Sequence, residues 1–465
     1  MSRSGVAGER ITRDVLALHT PSTISSLPRN WSWRRLDLVC DGIFDCPHST
    51  PVLTEVGPFI ARSQDVRSGV FRLDGAARVS ETTHRERIAR AEPRHGDLLF
   101  SREGTYFGIA AEIPPDIRVC LGQRMVLLRP NPAIVHPRFL RYWLNSPPMV
   151  LHVHGHKDGT VAERLNMPTI RALPVAVPPL SEQISISSVL GSLDDKIELN
   201  RCMNETLETM VRTLFKSWFV DFDPVRAKNQ GRDPGLPKAI ADLFPDSFVD
   251  SELGEIPKGW EIASIGAVAD VIDCLHSKKP ERLKAGMPLL QLANIRDDGL
   301  IDMEDTYFID EADYRKWVLR MEASPGDCVI TNVGRVGAAA QMPIGQKAAL
   351  GRNMTGVRCK PMFPFPTVLI ECLLSQAMKA EIVLKMDTGT ILDALNVRNI
   401  PKLRFTRSTR GILEHFEEKL RSLRAQMEKY SAESHALATL RDTLLPKLIS
   451  GELRARDSAQ LANGV

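Results

Sequence analysis

From Leu180 to Phe222 the apolar positions recur at alternating steps of four and three residues. Ile186, Leu190, Leu193 and Ile197 lead to two polar positions, Asn200 and Asn204, and then to Leu207, Val211, Leu214 and Trp218. This is a heptad seam, longer and more regular than an ordinary surface helix carries. Pro178-Pro179, with Ser181 before Glu182, marks its start. A helix of this length is a rod of roughly 60 Å. A rod with one apolar stripe needs a partner, and the chain contains one. Exactly matched steps 230 residues further on fall at Phe416, Leu420, Leu423, Met427, Tyr430, Ser434, Leu437, Arg441, Leu444 and Leu448, which are again mostly apolar. A parallel pairing sets Asn200 beside Tyr430 and Asn204 beside Ser434. An antiparallel one sets Asn200 near Ser434 and Asn204 near Tyr430. The seam alone does not choose between them.

The repeat extends beyond the helices. Asp45-Cys46-Pro47-His48-Ser49 matches Asp273-Cys274-Leu275-His276-Ser277 at an offset of 228. Gly96-Asp97-Leu98-Leu99-Phe100-Ser101 matches Gly326-Asp327-Cys328-Val329-Ile330-Thr331 at 230, and Leu121-Gly122-Gln123-Arg124-Met125 matches Leu350-Gly351-Arg352-Asn353-Met354 at 229. Gly159-Thr160-Val161 and Leu165-Asn166-Met167 match Gly389-Thr390-Ile391 and Leu395-Asn396-Val397, again at 230. Several matches in one order at nearly constant offset make the chain an internal duplication. Each copy is a globular domain followed by a long helix.

Strands are expected at 97–100, 124–128, 327–331 and 355–359, and short helices at 137–144 and 365–375. Strands and helices do not alternate regularly, which favours a mixed α+β domain over a doubly wound sheet. The expected layout is an N-terminal extension (1–30, with a short helix around Ile11 to Leu18), a first domain (31–179), a first long helix (180–222), a linker rich in Pro, Gly and charge (223–258), a second domain (259–405), a second long helix (406–453) and a polar tail (454–465).

Composition adds bounds. A chain of 465 residues, 43% hydrophobic and 25% charged, is long enough for several ordinary globular cores. The net charge of +3 divides into −3 over 181–222, 0 over 410–453 and +6 elsewhere, so nucleic-acid binding by this chain alone should be weak or partner-assisted. Eight scattered cysteines with no C-x-x-C spacing suit a reducing cytoplasm. No apolar run reaches ~18 residues, and the N-terminus has charges but no apolar leader core, so neither a membrane span nor a secretory signal is expected.

Catalytic signatures are missing. There is no G-x-x-x-x-G-K-[ST] phosphate loop and no G-x-G-x-x-G after a strand. Asn145-Ser146-Pro147-Pro148-Met149 approaches an amino-methyltransferase motif but has an inserted Ser and no aromatic, and reads as a helix stop. Asp194-Asp195-Lys196 superficially fits a nuclease metal site, but it lies in the long helix beside Leu193 and Ile197, where a solvated charged face is the simpler reading. Cys46/His48 and Cys274/His276 could hold a metal only if they shared it; packing plus a polar contact is the plainer account, and no metal site is assigned. His152, His154 and His156 become Ile382, Leu384 and Met386 in the second copy, which argues for a packed face.

The loops after the repeated strands carry the candidate chemistry. Ser101, Arg102, Gly104 and Thr105 in the first copy and Asn332, Gly334 and Arg335 in the second combine hydroxyl or amide groups, long polar side chains and a Gly. Gly permits close backbone approach, and Arg or Asn can bond bidentately to guanine or adenine edges. Arg124 and Arg352 are further phosphate-contact candidates, as are Lys157, Thr160, Lys278, Lys279 and Thr390; a plain turn or a solvated cation is the alternative at each. The two copies diverge at these polar positions while keeping their framework, as two readers of different sequences on one scaffold would.

Several stretches then resemble the specificity subunits of type I restriction-modification systems. They are Leu173 to Gln183 (LPVAVPPLSEQ), Leu193 to Asn200 (LDDKIELN), Trp218 to Val225 (WFVDFDPV), Ser251 to Trp260 (SELGEIPKGW) and Leu444 to Leu453 (LLPKLISGEL). The match covers about residues 30 to 453. It departs where Phe405 to Thr409 replaces the Pro-Pro-x-x-Glu-Gln entry of the first long helix. The resemblance implies two target-recognition domains that each read half of a split double-stranded DNA site. It implies an antiparallel intramolecular coiled coil acting as a ruler between them, paired through Ile186, Leu190, Leu193, Ile197, Leu207, Leu214, Trp218, Phe416, Leu420, Leu423, Leu437, Leu444 and Leu448. It also implies a non-catalytic, cytoplasmic chain that binds no cofactor. Its partners are two modification subunits, which use S-adenosylmethionine to methylate adenine, and restriction subunits, which cut DNA using ATP and Mg2+. A stand-alone nuclease and a coiled-coil adapter without DNA contact are the competing readings; metal-dependent cleavage by the chain alone, or indifference to sequence, would favour them.

Overall fold

The computed structural model describes residues 20–454 apart from 25, 68, 74, 105, 157–163, 304–305 and 388–392. The short helix expected around Ile11 to Leu18 therefore lies outside the described residues. The chain divides into two compact units, one of Met1–Ile197 with Ala436–Val465 and the other Glu198–His435. The division cuts both long helices near their middles, so each unit owns one globular domain and half of each helix.

In the first unit, strand Leu98–Ser101 runs antiparallel between Met125–Pro130 and Ala110–Glu112. Cys40–Asp45 continues the sheet beyond Met125–Pro130, and Val70–Phe71 and Val66–Arg67 extend its other edge. The strands are apolar at nearly every position because both faces are covered. Leu98, Phe100, Val126 and Leu128 face the core that holds the domain's helices and the long helices. Leu99, Leu127 and Met125 face a second core, towards Ala61, Val119 and Leu121. That is the period-2 alternation of a strand read twice. Leu53–Ala61 there pairs parallel with Val119–Leu121.

The second unit repeats this plan. Cys328–Thr331 lies antiparallel between Met354–Cys359 and Ala339–Gln341, and Ala269–Asp273 flanks Met354–Cys359. Cys328, Ile330 and Val357 face one core, and Val329, Ala340 and Met354 the other. The helices Pro137–Leu144 and Pro366–Leu374 occupy matching places, each with Pro at the first turn, where its missing N–H costs nothing.

The first long helix spans Leu180–Phe219 and the second Arg410–Ser450. Within the first unit, Asp194 meets Arg441 at 2.9 Å and Glu182 meets Arg454, so the sequence runs in opposite directions along the two helices. Within the second unit, Asn204 donates to Ser431 Oγ at 3.1 Å, and Phe219 packs on Phe416 with centroids 4.7 Å apart, in the same antiparallel sense. Asn200 donates to Glu433 Oε2 at 2.9 Å, so the partner numbers fall from Glu433 to Ser431 as the first helix runs from Asn200 to Asn204, which selects the antiparallel alternative left open by the seam. Ile186, Leu190, Leu193, Trp218, Phe416, Leu420, Leu444 and Leu448 are buried, whereas Ile197, Leu207, Leu214, Leu423 and Leu437 are half-buried.

Two expectations need correction. Residues 223–258, expected as a linker, carry the helices Asp223–Asn229 and Lys238–Ala241 and the hairpin Phe248–Ser251/Gly254–Pro257 and belong to the second unit. Phe222, Val225, Ile240, Phe244 and Ile256 join its core, anchors that the surrounding Pro, Gly and charge concealed. The second long helix starts at Arg410 rather than 406, because Arg404–Arg407 is a strand paired with Glu261–Ser264. Pro174–Val177, paired with Ser32–Arg35, enters the first long helix in the same way. The departing sequence at Phe405 to Thr409 therefore keeps the same entry.

Candidate nucleic-acid interface

The repeated motifs, dispersed in sequence, converge at one end of each central sheet. In the first unit the Arg102 N–H donates to the Arg124 carbonyl at 2.9 Å, and the Leu165 N–H donates to the Arg102 carbonyl at 2.9 Å. In the second, Asn332 N–H donates to Asn353 O and Leu395 N–H to Asn332 O, both at 2.8 Å. The loop after the strand, the Leu-Gly turn and the Leu-Asn segment are thus tied by one backbone scheme in both units. Arg124 and Asn353 hold φ of 70° and 65°, and Gly104 and Gly334 hold 102° and 85°, so the two loops share their left-handed turns. The Asp-Cys-x-His segment joins them, since Asp45 pairs with Val126 and Asp273 with Thr355 across the sheet.

On this common frame the side chains differ. Arg102 donates to both carboxylate oxygens of Asp45 at 3.1 Å, and its side chain is largely covered. His48 Nε2 lies 3.3 Å from Asp45. Arg124 is exposed and pairs with Glu103 at 3.2 Å. Gln123 donates to His48 O and Thr50 Oγ1 at 2.9 and 3.1 Å. In the second unit Arg335 pairs with Asp297 and donates to Ile295 O, Arg352 is exposed, and Lys278 and Lys279 are exposed, with Lys279 Nζ 3.9 Å from the Tyr307 ring centroid.

The structure corrects two candidates. Ser101 is fully buried, its hydroxyl turned back towards Glu103 O. Asn332 is 7% exposed; its amide donates to Leu395 O at 3.0 Å and its carbonyl accepts from Thr355 Oγ1 at 2.9 Å. Both side chains are buried and taken up by hydrogen bonds within the frame. Thr105, Lys157, Thr160 and Thr390 lie outside the described residues.

Residues that the loop composition did not single out complete the site. Buried Arg87 donates to Leu121 O at 2.8 Å and to Ser49 O and Pro47 O at 3.1 Å, fixing the His48 segment against the Leu-Gly turn. Asp45 orients Arg102, and Tyr307 supports Lys279. Asp45 had a signal, its place at the head of a repeated motif; Arg87 and Tyr307 had none. Asp273, Cys274 and His276 bring ligand-type atoms within 4.8 Å of one another. His276 Nε2 lies 2.8 Å from Asp273 Oδ2, repeating the Asp45–His48 contact, while burial pushes the Cys274 thiol up and keeps its proton on. The geometry is that of a hydrogen-bonded pair beside a buried thiol.

Comparison with known proteins gives these folds a context. A family model described as the type I restriction modification DNA specificity domain matches residues 80–209. The chain is similar to the type I restriction enzyme HindI specificity subunit of Haemophilus influenzae, 24% identical over 421 residues, covering 78% of this chain and 88% of that one. It is similar to the type I restriction enzyme MjaIX specificity subunit of Methanocaldococcus jannaschii, 26% identical over 443 residues, covering 93% and 96%. The crystal structure of a type I restriction-modification S subunit from M. genitalium shares the fold with a TM-score of 0.55 at 15% identity, covering 91% of this chain and 97% of that one.

Proposed function

We infer, from a chain that belongs to the specificity subunits of type I restriction-modification systems, that each unit reads one half of a split double-stranded DNA target. The observation that carries this reading is the convergence of four repeated motifs on one backbone scheme with different polar side chains in each unit. Exposed Arg124, Arg352, Lys278 and Lys279 are the groups proposed to meet phosphate or base edges, with Arg102, largely covered beside Asp45, and Arg335, exposed beside Asp297, steering. Gly104 and Gly334 let the loops approach the duplex. The helix pair sets the spacing between half-sites.

The chain acts without catalysis of its own. Methyl transfer with S-adenosylmethionine belongs to modification subunits, and ATP- and Mg2+-dependent cleavage belongs to restriction subunits, which this chain recruits in the cytoplasm. No helix among the described residues is long and apolar enough to cross a membrane. The modest charge excess supports DNA binding shared with partners.

The test is the methylation pattern of the host with and without the gene. One bipartite methyl-adenine motif should disappear; an unchanged pattern in a host that expresses the modification subunits would sink the reading. Replacing Arg352 by Ala should relax or weaken the second half-site only. Equal weakening of every sequence would make it a backbone anchor.

A further inference from the structure

Each globular domain is fastened to a long helix by a covered ion pair at equivalent positions, and the two pairs have opposite polarity; in the first unit the more exposed pair Arg138–Asp195, at 3.2 Å, lies beside it. In the first unit Arg141, on Pro137–Leu144, donates to Asp194 on the first long helix at 3.0 Å, with 6% and 18% of the side chains exposed. In the second, Arg424 on the second long helix donates to Glu371, on Pro366–Leu374, at 2.5 Å, with 4% and 2% exposed. Positions 141 and 371 are 230 apart, as are 194 and 424. A third pair of positions at the same offset confirms the equivalence. Arg141 also donates to the Gly69 carbonyl at 3.3 Å, and Arg424 to the Gly299 carbonyl at 2.7 Å. Both glycines are left-handed, at φ 80° and 78°. One guanidinium thus occupies the same place in both units, but the domain supplies it in one and the helix in the other. In both, its Nε is buried without an acceptor among the described residues.

We propose that this reversal is a polarity key that assigns each recognition domain to its own helix. The apolar parts of the two docking sites correspond, Ile186, Leu190 and Leu193 to Phe416, Leu420 and Leu423, while the remaining polar contacts differ: Gln183 accepts the His136 N–H in the first unit, and Glu417 accepts the Thr367 and Val368 N–H groups in the second. Apolar contact is non-directional and discriminates weakly between such surfaces. A duplicated chain therefore risks docking a domain on the wrong helix, of its own chain or of a second copy. Wrong docking sets Arg141 against Arg424, or Glu371 against Asp194. Like charges meet where water cannot reach them, a far larger penalty than the loss of one contact. The surroundings are tuned to each polarity. Asp194 also accepts the Tyr142 hydroxyl at 2.5 Å and Arg441 at 2.9 Å, whereas position 372, equivalent to Tyr142, is an apolar-packed Cys.

The experiment gives both units one polarity in the full-length chain, by combining Glu371→Arg with Arg424→Glu. Either single change should lower the unfolding midpoint of the second unit by roughly 10 °C, because a buried charge then faces its like. The double change should recover most of that loss. It should nevertheless refold from denaturant to less monomer than the native chain, with dimers and misdocked species rising with concentration in light scattering. A double variant that recovers the midpoint and also refolds to monomer as well as the native chain overturns the key and leaves a plain fastening. A double variant no more stable than the singles also overturns it, since the pair would then not act through polarity. Neither result depends on whether the domains read DNA.

Discussion

Asp194 is held by three donors at once, and its titration is the clearest residue-scale test of the docking chemistry. Burial raises its carboxyl, but Arg141, the Tyr142 hydroxyl and Arg441 outweigh burial and leave it below the usual aspartate value. A carboxylate whose folded pKa is depressed adds stability that is complete above the unfolded value and drains as pH falls through the folded one. The first unit should therefore lose stability below about pH 4. Replacing Asp194 by Asn should flatten that loss and lower stability at neutral pH, as read by hydrogen exchange of the Leu180–Ile197 segment across the acid range. Equal pH dependence with and without the carboxylate would refute the assignment. Asn332 gives a second test. Its amide is fully engaged by Leu395 and Thr355, so Asn332→Ala should cost about 1–3 kcal/mol of second-unit stability by leaving a buried carbonyl unpaired, without retargeting a half-site. A changed half-site at unchanged stability would restore it as a reader. Sequence could not separate Asn332 from Arg352: both are polar residues in turns, and what buries Asn332 is a carbonyl 63 positions away. Arg352 and Arg124 are exposed at their turn positions, and Arg124 pairs there with Glu103 at 3.2 Å.

At the scale of elements, the heptad seam carried the most information, since its step depends only on neighbours along one helix. Its direction did not, because the two polar positions sit near the middle and read the same either way. The contacts Asn200–Glu433 and Asn204–Ser431 resolve it. They also leave a trace of what polarity costs: the side-chain carbonyls of both asparagines are buried without a donor among the described residues. Asn204→Leu should therefore raise the unfolding midpoint of the second unit by removing an unpaired group and adding apolar burial. It should also loosen register, seen as additional oligomers or broadened spectra of the helix residues. A lower midpoint with a single species would show that the asparagine contributes more stability than its orphaned carbonyl costs. The segment 223–258 shows the converse limit of local reading. Its Pro and Gly marked turns correctly, yet Phe244 and Ile256 packed into a core that also takes in residues as distant as Phe416 and Leu420.

The whole molecule is organised by units that do not coincide with the boundaries that composition suggests. The second unit is one contiguous stretch, Glu198–His435. It contains its recognition domain, the folded 223–258 segment, the asparagine layer with Glu433 and Ser431, and the Arg424–Glu371 pair. Exchange of that stretch with the matching one of a related specificity subunit moves every buried polar partner together. Exchange of the globular domain alone, 259–405, leaves Arg424 behind to face a foreign residue at position 371. The first chimera should fold and direct methylation to a motif that joins this chain's first half-site to the donor's second. The second should fold poorly wherever the donor lacks a carboxylate at that position, and be rescued by restoring it. Sequencing the methylated adenines of cells carrying each chimera reads both outcomes. If the first chimera altered both half-sites, target reading would not be divided between the units, and the shared backbone scheme at the two sheet ends would need another purpose.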